Sequence, residues 1–338
     1  MTQVVLGTRG SRLALAQSEM MAAALRAAHP GLSVTLHTIT TQGDRVLDVA
    51  LSAVGDKGLF VKELEQELLD HSVDLCVHSC KDLPSQLPDG LILAAFPERA
   101  DARDILVLNA EFRRQFPTPA AADPGTPTAL FDALLPQAAV VGTSSLRRGA
   151  QLRALRPDLE LRDVRGNVDT RLRKLASGQY DALVLAAAGV DRLGLIDSDG
   201  LMESDGAYFV AHRIPTEVML PAVAQGILAI ECRSDDAVTV AALASLDHAP
   251  SRAAALAERA LLGRLEGGCQ VPIAAYATLN GATITLRGLV ASLDGATVVR
   301  GERVGAVADA AALGVSLAEE LLAGGADAIL NELSTARQ

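Results

Sequence analysis

Val4-Val5-Leu6-Gly7-Thr8-Arg9-Gly10-Ser11 decides the fold. A short apolar run ended by a glycine reads as a buried strand. Behind the loop, Leu13, Ala16, Met20, Ala24 and Leu25 recur at helical spacing from Ser11 to Ala28, until Pro30-Gly31 stops them. The same grammar continues along the chain. Val34 to Thr40 alternates like a strand. Lys62 to Asp70 is helical, with Leu64, Leu68 and Leu69 inward. Val73 to Val77 is another apolar strand, and His78-Ser79-Cys80-Lys81-Asp82 is the loop at its carboxyl end. Strands alternating with helices predict a parallel α/β sheet.

The pattern restarts after a Pro/Ala/Gly-rich stretch from Phe116 to Pro136. Ala138 to Val141 reads as a strand and Gly142-Thr143-Ser144-Ser145 as a loop. A helix from about Leu146 to Leu155 follows, then a strand from Leu159 to Val164 and a helix from Asp169 to Ala176. Tyr180 to Ala187 is a third strand, with a loop through Arg192. From Ser251 the character changes. One helix, Arg252 to Leu265, ends at Gly267-Gly268. Alternating strands Ile273 to Leu279, Thr283 to Val290 and Thr297 to Val304 are joined by turns at Asn280-Gly281 and Asp294-Gly295. A helix around Ala310 to Leu322 packs on them, which makes a small antiparallel α+β domain.

At 338 residues the chain has room for two or three domains. Hydrophobic residues are 49% of it and charged residues 21%, so it buries a sizeable core. Aromatic residues are only 3%, too few for the stacking platforms of single-stranded nucleic-acid binders. The net charge of −11 argues against phosphate-backbone binding. The charge is uneven, however. Thr143 to Lys174 holds nine basic residues against four acidic ones, a local +5, so the rest of the chain sums to −16. A basic island in an acidic chain points to a focused site for a small anion. Arg9 and Arg12 interrupt any apolar leader, and no apolar run approaches the ~20 residues of a membrane span. A cytoplasmic protein without membrane or nucleic-acid partners is expected.

Four cysteines, Cys76, Cys80, Cys232 and Cys269, do not form a disulfide framework in a chain this long. Cys76-x-His78-x-Cys80 lacks the second pair that would complete a tetrahedral metal site, so no metal is expected and two half-buried thiols are the plainer reading. Cys269 follows Gly267-Gly268 and precedes Pro272. A thiol in that loop-like setting is available as a nucleophile or attachment point, although a buried structural thiol is the commoner case.

Two loops, Gly7-Thr8-Arg9-Gly10-Ser11 and Gly142-Thr143-Ser144-Ser145-Leu146-Arg147-Arg148, each lead from a strand into a helix. Backbone N–H groups at a helix start, with hydroxyls and guanidinium forks, make anion sites. Each loop read alone is equally well a capped helix start. Arg147, Arg148, Arg165 and Arg171 lie in or near such loops, whereas Arg153, Arg156, Arg162, Arg173 and Lys174 fit a solvated, salt-bridged surface. Asp82 is either a general acid/base or a loop cap.

These residues also carry a resemblance. Thr8-Arg9-Gly10-Ser11, Lys57-Gly58-Leu59-Phe60-Val61-Lys62-Glu63, Val77-His78-Ser79-Cys80-Lys81-Asp82-Leu83-Pro84, the Gly142–Arg148 block, Arg165-Gly166-Asn167-Val168 and Leu265-Glu266-Gly267-Gly268-Cys269-Gln270-Val271-Pro272 resemble, in order, the signatures of the porphobilinogen deaminase (hydroxymethylbilane synthase) family. The resemblance implies two α/β domains like those of type II periplasmic binding proteins and a small C-terminal α+β domain. Their expected bounds are 1–100 with 216–245, 101–215, and 246–338. It implies a dipyrromethane cofactor in thioether linkage to Cys269, porphobilinogen as substrate, a monomeric transferase and no metal. Asp82 takes the place of the catalytic aspartate. Ser79, Lys81, Thr143, Ser145, Arg147, Arg148 and Arg165 match cofactor-binding positions. Arg9, Ser11, Gln17, Lys57, Arg171 and Arg192 match substrate-binding ones.

The chemistry is consistent with the composition. Each pyrrole bears two carboxylates, so a growing chain is a polyanion suited to an arginine-rich cleft. Loss of ammonia from the aminomethyl group leaves a cationic azafulvene, which a carboxylate at Asp82 would stabilise. The chain departs from the family at Ala53, where some members have a lysine, and at Ala224, which replaces a glycine and stiffens the hinge between domains. Glu111 to Gln137 reads as a surface insertion. The rival reading is a non-catalytic solute-binding module of the same fold, which would need neither an adduct nor Asp82.

Overall fold

The computed structural model describes residues 2–41, 61–115, 128–265 and 271–335. Lys57, Ala53 and Cys269 lie outside the described residues. The first sheet has the order β2-β1-β3-β11-β4, from β1 (Gln3–Arg9), β2 (Ser33–Ile39), β3 (Leu75–Ser79), β4 (Leu91–Ala95) and β11 (Leu228–Arg233). The second has the order β7-β6-β8-β5-β10-β9, from β5 (Asp104–Asn109), β6 (Val140–Gly142), β7 (Glu160–Arg162), β8 (Ala182–Ala186), β9 (Leu201–Ser204) and β10 (Ala207–Arg213). The third is an antiparallel meander of β12 (Ile273–Asn280), β13 (Thr283–Ala291) and β14 (Val298–Ala306). The architecture is therefore two mixed α/β units and a small antiparallel α+β unit.

The expectation of wholly parallel sheets is corrected. β1 pairs in parallel with β2 and β3, and β6 with β7 and β8. Yet β11 runs antiparallel to β3 and β4, and β5 runs antiparallel to β8 and β10. These are the strands next to the two crossovers, so the chain enters each sheet from the other unit and meets it head to tail. Both are buried along nearly their whole length, so they show no alternation of buried and exposed positions to orient them.

Helix α1 (Arg12–Ala28) covers one face of the first sheet and buries Met21, Ala22 and Leu25. Helix α2 (Lys62–Leu69) covers the other face with Leu64 and Leu68. Short helices α3 (Ala110–Gln115) and α4 (Ala129–Leu134) come next. The stretch read as a surface insertion is corrected in part, because Phe131 and Leu134 of α4 are buried in the core of the second unit. Their three-residue separation puts both on one helical face. Helices α5 (Leu146–Leu155), α6 (Val168–Ala176) and α7 (Ala187–Arg192) complete that unit. The last replaces the loop expected before Arg192. In the third unit α9 (Ala249–Arg264) and α10 (Ala310–Leu321) pack together on the meander and α11 (Asp327–Thr335) adds Ile329 and Leu333 to their core, whereas α8 (Ala237–Leu243) packs on β4 and β11 of the first sheet.

Two glycines fix how the units join. Gly226 has φ +88°, and a Cβ there would lie 2.5 Å from the Ala100 carbonyl oxygen, so the two crossovers touch backbone to backbone. Gly295, at the tip of the β13–β14 hairpin, has φ +74° and would place a Cβ 2.6 Å from Ala150 O and Ala154 N of α5. Ala224 also adopts a left-handed φ of +57°, which accounts for a glycine elsewhere in the family and leaves this chain with a strained alanine at the junction.

Beneath α2 lies an acidic cluster. His78 Nε2 is 2.9 Å from the fully buried Glu231 carboxylate. Glu65 is buried beside them, and burial, reinforced by Glu231, raises its carboxyl above the usual range against the pull of His78 and Lys62. An acid raised in the fold stabilises it below its unfolded pKa, and that contribution is lost as pH rises through the folded value. Glu65→Gln is therefore expected to unfold a few degrees above the parent at pH 8, with the gain shrinking towards pH 5. Thermal melts across that range check it, and an unchanged difference at both ends would contradict it.

Candidate active site between the two units

β1 and β3 of the first sheet, and β6 and β7 of the second, end towards a common cleft. Ser11 caps α1 by accepting from Ala14 N at 3.3 Å, and Ser145 caps α5 by accepting from Arg148 N at 3.4 Å. Both hydroxyls thus take the capping role. A hydroxyl that accepts from backbone keeps its own proton to donate to a ligand. Thr143 Oγ1 accepts from Ser145 N, and Ser144 Oγ exchanges hydrogen bonds with Val164 N and O at 3.0 and 2.9 Å. The clasp holds the Arg165 loop against the start of α5. Asn167 caps α6, and Arg171 in its first turn donates to Gly166 O.

On the first unit, Gln17 Nε2 donates to Ser79 Oγ at 3.2 Å, linking α1 to the end of β3. Cys80-Lys81-Asp82 forms a single 3₁₀ turn directly after β3. Asp82 is exposed on it, whereas Lys81 is half-buried, its amine turned to Gln225. Burial pulls the Lys81 pKa down to about 8. Asp82 and Asp104 oppose the shift, and Arg148 and Arg147 reinforce it. Across the cleft, burial lowers Arg171 to about 10, helped by Arg148 and Arg165 and opposed by Asp82. Asp82 therefore sits within the electrostatic reach of Lys81 on its own turn and of Arg171 on the other unit. Arg12 and Asp169 add an exposed ion pair between α1 and α6, 3.0 Å long.

Arg147 and Arg148 lie inside the first turn of α5 and are buried, with both guanidinium groups turned to Asp104. Arg147 NH1 donates to Asp104 Oδ2 at 2.6 Å and NH2 to Oδ1 at 3.2 Å. Arg148 reaches Oδ1 through NH2 at 2.8 Å and Nε at 3.0 Å. Burial works to raise the Asp104 carboxyl, but the two arginines hold it well below the usual range. One carboxylate for two cations leaves a formal +1 at this point of the wall. Gln225, also fully buried, donates to the same Oδ1 at 3.0 Å. Sequence reasoning missed Asp104 and Gln225. The available signals were a lone acid opening the apolar run Asp104-Ile105-Leu106-Val107-Leu108 and a lone amide between Ala224 and Gly226.

Arg192 donates to Gly226 O at 2.7 Å, and burial lowers its pKa to about 10. Arg9 ends β1, half-buried. Arg153, Arg156, Arg162 and Arg173 instead bind a loop carbonyl or neighbouring carboxylates on the outer surface. Burial drives all three described cysteines away from thiolate chemistry, Cys80 and Cys232 to about 11 and Cys76 well above the usual thiol value. Cys76 and Cys80 are fully buried rather than half-buried. Among the described residues no helix is long and apolar enough to cross a membrane.

The comparisons with known proteins follow this geometry. A family model described as porphobilinogen deaminase, dipyromethane cofactor binding domain, matches residues 4–241, and one described as porphobilinogen deaminase, C-terminal domain, matches residues 253–323. The porphobilinogen deaminase of Roseiflexus sp. strain RS-1 is 51% identical over 327 residues, covering 97% of this chain and 98% of that protein. That of Brevibacillus brevis is 48% identical over 329 residues, covering 97% and 96%. The periplasmic VFT2 domain of Bordetella pertussis BvgS, 13% identical, aligns over 72% of this chain and 86% of that one with a TM-score of 0.39. With both models and relatives about half identical matching it almost end to end, the chain belongs to the porphobilinogen deaminase family.

Proposed function

We propose that this chain condenses porphobilinogen units head to tail, releasing ammonia at each step, to give the linear tetrapyrrole hydroxymethylbilane. The observation that carries this reading is the meeting of one exposed carboxylate, Asp82, with Lys81, Arg148, Arg165 and Arg171 in a cleft between two units. The dipyrromethane that the family model names would be held here by thioether linkage to Cys269 and would supply the free pyrrole α-carbon for chain growth. The donors fit such a polycarboxylate: arginines, a lysine and helix-capping hydroxyls, with the buried Asp104 neutralising only half of its arginine pair. The resemblance gives Cys269 the attachment role, and the burial of the three described thiols, which makes them hard to ionise, agrees with it.

In this reading Asp82 helps the substrate's amine leave as ammonia and holds its charge against the cation left on the ring. Arg9, Ser11, Gln17, Lys57, Arg171 and Arg192 serve the acetate and propionate groups of the incoming unit. Ser79, Lys81, Thr143, Ser145, Arg147, Arg148 and Arg165 serve the tethered one. The protein works as a cytoplasmic monomer of three domains bounded as the sequence suggests.

Three experiments test this. Intact mass and peptide mapping should find two pyrrole units on the peptide containing Cys269, and Cys269→Ser should lose them. Unmodified protein that still turns over porphobilinogen would refute the tether. Asp82→Asn should keep fold and adduct yet lose ~10²–10³-fold in turnover, because an amide cannot compensate a cation. Near-normal turnover would reduce Asp82 to a loop cap. Finally, Arg147→Leu or Arg148→Leu leaves the buried Asp104 short of a partner and should cost ~3–5 kcal/mol of stability along with adduct assembly. Arg9→Leu and Arg171→Leu should keep the adduct but trap partly elongated chains resolvable by mass. Arg153→Leu and Arg173→Leu should change either readout by less than ~1 kcal/mol. Equal losses in all three groups would mean that bulk charge explains the basic island.

A further inference from the structure

One buried side chain links the two units at the cleft without belonging to any group described so far as holding substrate. Gln225 lies on the returning crossover, between the strained Ala224 and the left-handed Gly226. Its amide orientation is forced. Nε2 donates to two groups that can only accept, Ala102 O at 2.8 Å and Asp104 Oδ1 at 3.0 Å. Oε1 is left facing the amine of Lys81 at 3.5 Å. The backbone allows no slack. Gln225 O accepts from Arg99 Nε at 2.9 Å, Ala224 N donates to Glu258 of the third unit, and Gly226 O accepts from Ala100 N. The position requires a donor on one side and an acceptor on the other. A carboxylate would confront Asp104, and an apolar side chain would leave Lys81 one acceptor poorer.

We infer that Gln225 is a positioning residue: it ties Lys81, beside Asp82, to the Asp104–Arg147–Arg148 cluster of the opposite unit and holds the amine in place. The inference rests on the deaminase reading of the same site. The charges that face Lys81 are Asp82 on its own turn, Asp104 on β5, and Arg147 and Arg148 on α5. They balance in number around a half-buried amine, so one neutral acceptor weighs on its protonation. With Lys81 near the upper end of the physiological range, losing that acceptor lets the proton leave at lower pH. The alkaline limb of the activity profile then moves down.

The test uses the cofactor-loaded protein, with kcat and KM for ammonia release from porphobilinogen followed from pH 6 to 9.5. The modification rate of Lys81 by an amine acylating reagent, read by peptide mass, is followed over the same range. Gln225→Leu should lose no more than about threefold in kcat at pH 6.5 but about tenfold at pH 8.5, and its Lys81 should be acylated at lower pH than in the parent. Gln225→Glu, which puts an anion by the amine, should move both profiles the opposite way even if its overall rate falls. Should the leucine variant not fold, Gln225→Met keeps the length and carries the same expectation. Equal losses at both pH values with an unmoved Lys81 profile would overturn the inference and leave Gln225 as packing at the junction. A parent protein that releases no ammonia from porphobilinogen would overturn the deaminase reading instead, and the Lys81 profile would still judge the positioning role.

Discussion

A carboxylate with no access to water, gripped by two adjacent arginines, is the constraint on which the rest of the molecule depends. Removing Asp104 from solvent is costly, and only a close fit with additional hydrogen bonds offsets it. Arg147, Arg148 and Gln225 supply that fit. To reach Asp104, α5 must begin at Ser145, the returning crossover must bring Gln225 alongside, and β5 must run against β8 so that its first residue lies at the cleft. The ion cluster and the sheet topology therefore specify each other.

The same economy joins the third unit to the others. Glu258 of α9 is fully buried, yet its carboxylate is satisfied by Arg99 of the outgoing crossover, by Ala224 N of the returning one and by Ala277 N of the meander. Arg99 also lies over the Tyr276 ring, with Arg287 nearby. Arg259 from the same helix holds Pro84 O and Ser85 O, the segment that follows Asp82. The two α/β units are thereby tied to a unit that contributes no residue of the described cleft.

Much of this was legible in the sequence. Period and punctuation located β1, α1, α2, β6, α5, α6 and the meander, because each has one apolar face bounded by a cap, a glycine or a proline. The direction of β5 and β11 was not legible. A strand buried on both faces has no period to read, and its partner is chosen by where the crossover delivers it. Phe131 and Leu134 were hidden for a related reason: two apolar residues in an Ala/Pro-rich stretch do not reveal a core contact until the sheet beneath them exists. The cleft residues were found as residue types in loops, but their pairing was not. The adjacency of Arg147 and Arg148 looks like a ligand grip, and nothing local announces that Asp104, 43 residues earlier, takes both.

The two hairpin turns of the third unit look interchangeable as sequence, an Asn-Gly and an Asp-Gly. They are not interchangeable in three dimensions. Gly281 turns in open space, with nothing near an added side chain, while Gly295 presses onto the backbone of α5. The first is a handle, a place where a tag, a label or a few extra residues can be spliced in without disturbing the molecule. The second is a keyed joint, where even a methyl group would have to prise the third unit off the second.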